Sequence, residues 1–158
     1  MKHPLSIMVW GCMSRDGVGC LRVLNGMVNA EKYVKDVLQS KLLASARDIF
    51  GANQPLIFQQ DGAPCHTAKK CQSWFNENNT EVLEWPGNSP YLNPIENLWS
   101  RLKRAAAAKH PSNKQQLIDA VINSWFHIIA PEDQQKLADS MPRRCEAVIK
   151  ARGYPTRY

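Results

Sequence analysis

Apolar runs too short to be helices alternate along this chain with segments of helical period, and each junction carries a turn signal. Leu5 to Met13 reads Leu-Ser-Ile-Met-Val-Trp-Gly-Cys-Met, a nearly continuous apolar run that predicts a strand buried on both faces. Ser14-Arg15-Asp16-Gly17 predicts a hairpin turn, with Val18 to Leu24 as the returning strand and Asn25-Gly26 as its end. From Glu31 to about Phe50, the residues Val34, Val37, Leu38, Leu42, Ala46 and Ile49 recur at helical spacing, and Gly51-Ala52-Asn53 stops the helix. Leu56-Ile57-Phe58 predicts a short buried strand leading into Gln59-Gln60-Asp61.

Thr67 is the predicted N-cap of a helix whose Ala68, Cys71 and Phe75 face inward and which ends at Asn78-Asn79. Glu81 to Trp85 predicts another short strand, and Pro86 to Asn93 a loop. Asn93 is then the predicted cap of a helix with Pro94 at its first position and Glu96 at its third, the capping-box pattern. Ile95, Leu98, Trp99 and Leu102 form its apolar stripe, and Ala105 to Ala108 its alanine-rich end. A further helix runs from about Lys114 to Ile128, Pro131 and Pro142 bracket short helical pieces, and Gly153 is a stop. Strand, strand, helix, strand, helix, strand, helix, helix is an α/β order, an antiparallel hairpin leading into strand–helix alternation.

A chain of 158 residues, 44% of them hydrophobic, favours one domain with a real core over a disordered tail. The formal charge of +6 and pI of about 9.2 suit a polyanionic partner, though many ordinary proteins are as basic. Five cysteines without Cys-x-x-Cys spacing argue against a disulfide framework and a zinc ribbon, and predict reduced thiols in the cytosol or nucleus. No apolar run approaches the roughly 18 residues of a membrane span, so no membrane partner is expected.

Two carboxylates stand out. Asp61 follows a short apolar run at the carboxyl end of a strand, where α/β sheets place ligands, and Gly62, Ala63 and Pro64 then turn the chain. The rival reading makes Asp61 a plain turn residue. Glu96 sits just inside a helix, and its rival reading is the capping box, which needs no chemistry. His66 is either a ligand or acid near Asp61 or an orienter of the loop. Lys69 and Lys70 follow Asp61, and Arg101, Lys103, Arg104, Lys109 and His110 follow Glu96. Both runs are read either as contacts to phosphates or as solvated helix faces.

Gln60-Asp61-Gly62-Ala63-Pro64-Cys65-His66-Thr67 and the run from Trp85 through Asn93-Pro94-Ile95-Glu96-Asn97 to Trp99 resemble the two downstream signatures of the Tc/mariner-type DDE transposases. The 34 residues between Asp61 and Glu96 (96 − 61 − 1) are the spacing of the branch whose third acid is Glu. Ser6 to Cys12 also resembles that family's segment before the second acid, and the resemblance runs from about Lys2 to Tyr158. It implies a ribonuclease-H-like mixed sheet flanked by helices, with an Asp-Asp-Glu triad holding two magnesium ions (Mg2+, or Mn2+). Asp61 matches the second acid and Glu96 the third, with His66 and Asn93 in supporting positions. Lys69, Lys70, Arg101, Lys103 and Arg104 become candidates for the DNA backbone. The implied activity is metal-dependent DNA cleavage and strand transfer in cut-and-paste transposition. The implied partner is DNA, the assembly a homodimer and the compartment the nucleus. Tyr91 and Gly62 depart from the family, which usually has Asp and Asn there.

The resemblance puts the first acid on a central strand upstream of Ser6, and a helix-turn-helix region earlier still. Residues 1–158 are therefore expected to form a catalytic domain incomplete at its N-terminus, its first strand missing. Two metal ions roughly 3.5–4 Å apart need compensating negative charge. Two unit charges about 4 Å apart repel by roughly 4 kcal/mol at an effective dielectric near 20, and a doubly charged pair by about four times that. Asp16 sits in a hairpin turn, and Asp36 and Asp48 lie on the polar side of a helix, so none replaces a triad acid. Three expectations follow: a catalytically silent transposase domain; a DNA-binding module derived from one; or a different ribonuclease-H-like nuclease with a third acid from elsewhere. Unpaired strand edges predict low stability, self-association, or direct pairing of the hairpin with the Asp61 strand.

Overall fold

The computed structural model describes residues 5–52, 54–87 and 89–158. Lys2, Asn53 and Asn88, which entered the reading above, lie outside the described residues. The chain divides into two compact units, Met1–Val23 with Pro90–Tyr158, and Leu24–Ser89.

In the first unit, β1 (Met8–Trp10) pairs with β2 (Arg22–Leu24). Met13 and Val18 form an antiparallel bridge between them, and the backbone N–H of Ser14 donates to the Gly17 carbonyl at 2.7 Å. The turn thus forms where Asp16-Gly17 predicts it, with Asp16 exposed. The strand is shorter than the apolar run, and it is not buried on both faces. Met8 is exposed while Val9 packs on the core, because a two-stranded sheet has only one covered face.

The core of this unit lies between α5 (Ile95–Ala107) and α6 (Lys114–Ile128). Leu98, Leu102 and Ala106 at four-residue spacing meet Ala120, Val121 and Trp125. Burying each such leucine contributes about 1.5–3 kcal/mol. The Asn113 side chain caps α6 by accepting from the N–H of Gln116, so this helix begins where the sequence predicts. The Trp125 indole N–H donates to the Gly19 carbonyl at 2.9 Å, and its ring stacks on Trp99 with centroids 5.2 Å apart. Gly11 lies against both rings. A Cβ there would come within 2.9 Å of Trp99 Cη2 and 3.1 Å of Trp125, so the close approach requires glycine. Two short helices complete the unit, α7 (Pro131–Asp139) and α8 (Met141–Lys150), each with proline in its first turn.

In the second unit, the Asn29 side chain caps α1 (Ala30–Tyr33), which continues as a π-helical stretch, Val34–Leu42, and then as α2 (Leu43–Phe50). The span matches the predicted helix, and Val34, Val37, Leu38 and Leu42 are buried as its period requires. Apolar period alone does not announce the π geometry, since the same four residues turn inward. β3 (Ile57–Phe58) and β4 (Glu81–Val82) pair in parallel, Ile57 opposite Glu81 and Phe58 opposite Val82. The crossover between them carries α3 (Pro64–Thr67) and α4 (Lys69–Glu77), a βαβ unit.

Three expectations change here. Ile57 is 61% exposed while Phe58 packs on Phe75, so β3 is buried on one face only. Strand β4 stops at Val82 rather than Trp85. Thr67 is not an N-cap, because Pro64 opens a helical turn that Thr67 closes; Ala68 precedes α4 and gives it no side-chain cap. Cys71 and Phe75 do face inward, together with Trp74. Among the described residues each strand pair forms its own two-stranded sheet.

Candidate active site

Asp61 lies three residues beyond β3, where Gln59 and Gln60 lead the chain out of the sheet. Its Oδ1 accepts from the backbone N–H of Ala63 at 3.1 Å, the local bond expected of a turn aspartate. The same oxygen lies 2.6 Å from Nδ1 of His66. A carboxylate oxygen accepts, so Nδ1 is the donor and Nε2 faces elsewhere. The turn reading and the site reading of Asp61 therefore coexist: Oδ1 is committed to the loop, while Oδ2 takes no hydrogen bond among the described residues. The Asp61 side chain is 64% exposed, against 19% for His66.

His66 is held in turn. Its N–H donates to the Ala63 carbonyl at 2.8 Å, and its ring lies on that of Tyr33, centroids 4.3 Å apart and tilted by 36°. The Tyr33 hydroxyl donates to Gln60 Oε1 at 3.0 Å, and Gln60 Nε2 donates to the His66 carbonyl at 3.3 Å. Cys71, buried on α4, donates its thiol to the Cys65 carbonyl at 2.9 Å. Burial raises the Cys71 thiol above the usual thiol range; for Cys65 burial comes first and the negative Asp61 adds to it. Gln60 lies in the motif with nothing in its sequence context to announce this role, and Tyr33 lies outside both motifs. The only hint of Tyr33 was a hydroxyl-bearing residue beside the apolar stripe that starts at Val34.

Glu96 is exposed in the first turn of α5. The capping box predicted there does not form. A 3₁₀ turn, Pro90–Leu92, precedes the helix, Pro94 takes the cap position, and no side chain caps the helix. Asn93 contributes its backbone instead, its carbonyl accepting from the Glu96 N–H at 3.1 Å. The bland explanation of Glu96 thereby loses its hydrogen bond, and the carboxylate has no partner among the described residues.

The segment around Glu96 is fixed by Arg144, which sequence reasoning missed. Arg144 is 2% exposed. Its Nη1 donates to the Tyr91 carbonyl at 2.9 Å, its Nη2 to Asn97 Oδ1 at 2.7 Å, and its Nε to Ser140 Oγ at 2.8 Å. The guanidinium also lies 4.9 Å from the centroid of the Tyr158 ring. Burial lowers its pKa from the ordinary arginine range, yet arginine stays charged in proteins. One cation thus ties α8 to the 3₁₀ turn and to the residue after Glu96. The Tyr91 hydroxyl donates to the Gly153 carbonyl at 3.2 Å, so the tyrosine at this position fastens the loop to the chain after α8.

Among the candidate phosphate contacts, Lys69, Lys70, Lys103 and Arg104 are exposed. Lys70 lies 3.5 Å from Glu31. Arg101 differs, because its Nη1 is 2.6 Å from Asp133 on α7. No group of three or more His, Cys, Asp or Glu side chains suited to a metal ion gathers among the described residues. The donor chemistry of the two acids nonetheless fits a hard divalent cation: both offer carboxylate oxygen, and both keep oxygens that no described residue occupies.

The model of the DDE superfamily endonuclease family matches residues 6–118. Over 153 residues the chain is 38% identical to the transposable element Tcb2 transposase of Caenorhabditis briggsae and 40% identical to the Tcb1 transposase of the same organism. It is 38% identical to the Tc1 transposase of Caenorhabditis elegans. Each match takes in 97% of this chain and 55% of the relative, so the chain spans about half the length of the curated relatives it matches. The crystal structure of the catalytic domain of Mos1 mariner transposase is 22% identical, with a TM-score of 0.84 over 99% of this chain and 78% of that one. The structure of the Mos1 transposase catalytic domain and raltegravir with Mg gives 22% identity and a TM-score of 0.83 over 96% of this chain and 77% of that one. This likeness shows the fold, the ribonuclease-H-like one expected from the sequence.

Proposed function

The chain belongs to the DDE superfamily endonucleases, and on that premise we propose that it serves as the catalytic domain of a transposase that cleaves and joins DNA strands. Asp61 and Glu96 are the second and third acids of its triad. The observation that carries this reading is the state of the two carboxylates. Each stands in the motif position of a family acid and is exposed, with carboxylate oxygen that no described residue occupies, and each has a held side chain close by, His66 for Asp61 and Asn97 for Glu96.

The metal assigned to these acids is Mg2+ or Mn2+, supported by Mos1 structures described with Mg and with Mn. When bound, such ions activate an attacking oxygen and offset the charge on the departing one. The protein's own share is holding and orienting. Asp61 presents one oxygen outward while His66 and the Ala63 N–H hold the other. Glu96 stands in the first turn of α5. Lys69, Lys70, Lys103 and Arg104 supply charge for the DNA backbone, with Arg101 restrained by Asp133. Mos1 neighbours include a paired-end complex and a complex with a left transposon end, which supports DNA as the partner of this chain too. A homodimer is the assembly assigned to it, and the nucleus its compartment.

The test is binding of the 158-residue chain to a DNA duplex, read by fluorescence anisotropy with and without Mn2+. The reading requires affinity that falls with salt and rises on adding Mn2+, and a Mn2+ response lost in Asp61→Ala and in Glu96→Ala. Salt-sensitive binding with the same Mn2+ response in all three proteins contradicts it, and leaves a DNA-binding module without the chemistry.

A further inference from the structure

We infer that Tyr33 is a positioning residue for Asp61, acting through Gln60 and His66. This rests on the reading of Asp61 as a metal-holding acid. An aspartate that is 64% exposed and sits in a turn is free to change rotamer unless something restrains it. Here both restraining bonds fall on one oxygen, from Ala63 N–H and His66 Nδ1. The Ala63 bond is local and sets only the turn. The direction of the carboxylate depends on where the imidazole stands, and the imidazole stands where Tyr33 puts it.

Tyr33 does this in two ways. Its ring, 1% exposed, is the surface on which the His66 ring lies. Its hydroxyl orients the Gln60 amide, so that Oε1 accepts from Tyr33 while Nε2 donates to the His66 carbonyl. Gln60 also immediately precedes Asp61 in the chain. A phenol buried at the junction of α1 and the π-helical stretch thus braces both ends of the Asp61–His66 contact, from a helix 27 positions away in sequence. A phenylalanine in its place keeps the ring surface and loses the orientation of the amide. Partners of this outer kind change metal affinity by roughly 10–100-fold when removed outright. Tyr33 acts one link further back, so the expected loss is smaller.

The experiment uses the 158-residue chain labelled with ¹⁵N at histidine. Long-range ¹H–¹⁵N spectra, taken where the imidazole is neutral, read the His66 tautomer, and a Mn2+ titration reads the metal. In the wild type the Nδ1–H tautomer dominates. In Tyr33→Phe the tautomers mix, and Mn2+ binding weakens by roughly 3–10-fold. Gln60→Met, half-buried and away from the helix core, gives the same mixing, and the double variant is no worse than either single one. An unchanged tautomer in Gln60→Met, or in a folded Tyr33→Phe, overturns the inference, because a merely structural tyrosine leaves the tautomer alone. A tautomer shift with Mn2+ binding equally weak in wild type, Tyr33→Phe and Asp61→Ala supports the bracing and overturns the metal reading instead.

Discussion

The imidazole of His66 and the carboxylate of Asp61 meet at 2.6 Å, with the histidine largely covered and the aspartate largely open. A covered histidine beside an open carboxylate is compatible with the proposed role of Asp61 as a metal-holding acid. The contact also means that one oxygen of Asp61 is already spent before any ligand arrives.

Removing the orienter should therefore weaken the site more than the fold. In His66→Ala, Mn2+ affinity is expected to fall roughly 10–100-fold, read by calorimetric titration, while thermal denaturation stays within a few degrees of the wild type. Equal Mn2+ affinity in the variant rules out an orienting role.

Gly11→Ala is expected to destabilise the protein. The added methyl meets two tryptophan rings at 2.9 and 3.1 Å, both pinned, one by its hydrogen bond to Gly19. Overpacking of this kind costs about 1–3 kcal/mol, measurable as a lowered urea midpoint at unchanged slope.

Arg144→Met keeps the aliphatic stem and removes three donated hydrogen bonds. The Tyr91 carbonyl and the Asn97 amide oxygen both lose their donor. The expected cost is about 1–3 kcal/mol for each acceptor left dry, less where water enters. Arg144→Lys should not restore it, since an ammonium cannot span three acceptors in a fork. A urea midpoint for Arg144→Met equal to the wild type refutes the anchoring role.

The Arg101–Asp133 pair predicts a small acid sensitivity. The Arg101 hydrogen bond is the main cause holding Asp133 below the usual carboxylate range, and burial opposes it. A lowered folded-state pKa stabilises the fold above the unfolded pKa of about 3.9. That contribution disappears as pH falls through the folded value. A pair this close to the surface is worth about 0.2–1 kcal/mol. Stability compared between wild type and Asp133→Asn should differ at neutral pH and converge in strong acid.

Thiol labelling should separate Cys145 from Cys71. Cys145 is exposed, whereas Cys71 is buried, its thiol raised by that burial and bonded to the Cys65 carbonyl. At neutral pH a thiol reagent is expected to modify Cys145 first and Cys71 only on unfolding. Early labelling of Cys71, read by mass spectrometry of its peptide, contradicts the placement of α4.

Much of the framework was legible from the sequence, for local reasons. Asp16-Gly17 turns the hairpin, and α6 starts at Lys114 as its apolar period predicts, because such signals act on backbone within a turn. Thr67 and Asn93 misled for the same kind of reason. Each is a good cap, but Pro64 had already started a helical turn, and Pro90–Leu92 wound a 3₁₀ turn that moved the helix start past Pro94. The strands came out short and one-sided, since an apolar run does not say how many faces will be covered. Asp61, Glu96 and His66 are proposed on their motifs. Tyr33 and Arg144 are not, because their meaning lies in partners 27, 47 and 53 positions away. No periodicity carries that information.

The central proposal is that Asp61 and Glu96 are each metal-holding acids. The most direct measurement is Mn2+ binding by the wild type, Asp61→Ala and Glu96→Ala, read by calorimetric titration. The account predicts that each single change costs at least about tenfold in affinity. An Asp61→Ala or a Glu96→Ala protein that binds Mn2+ as the wild type does would contradict it.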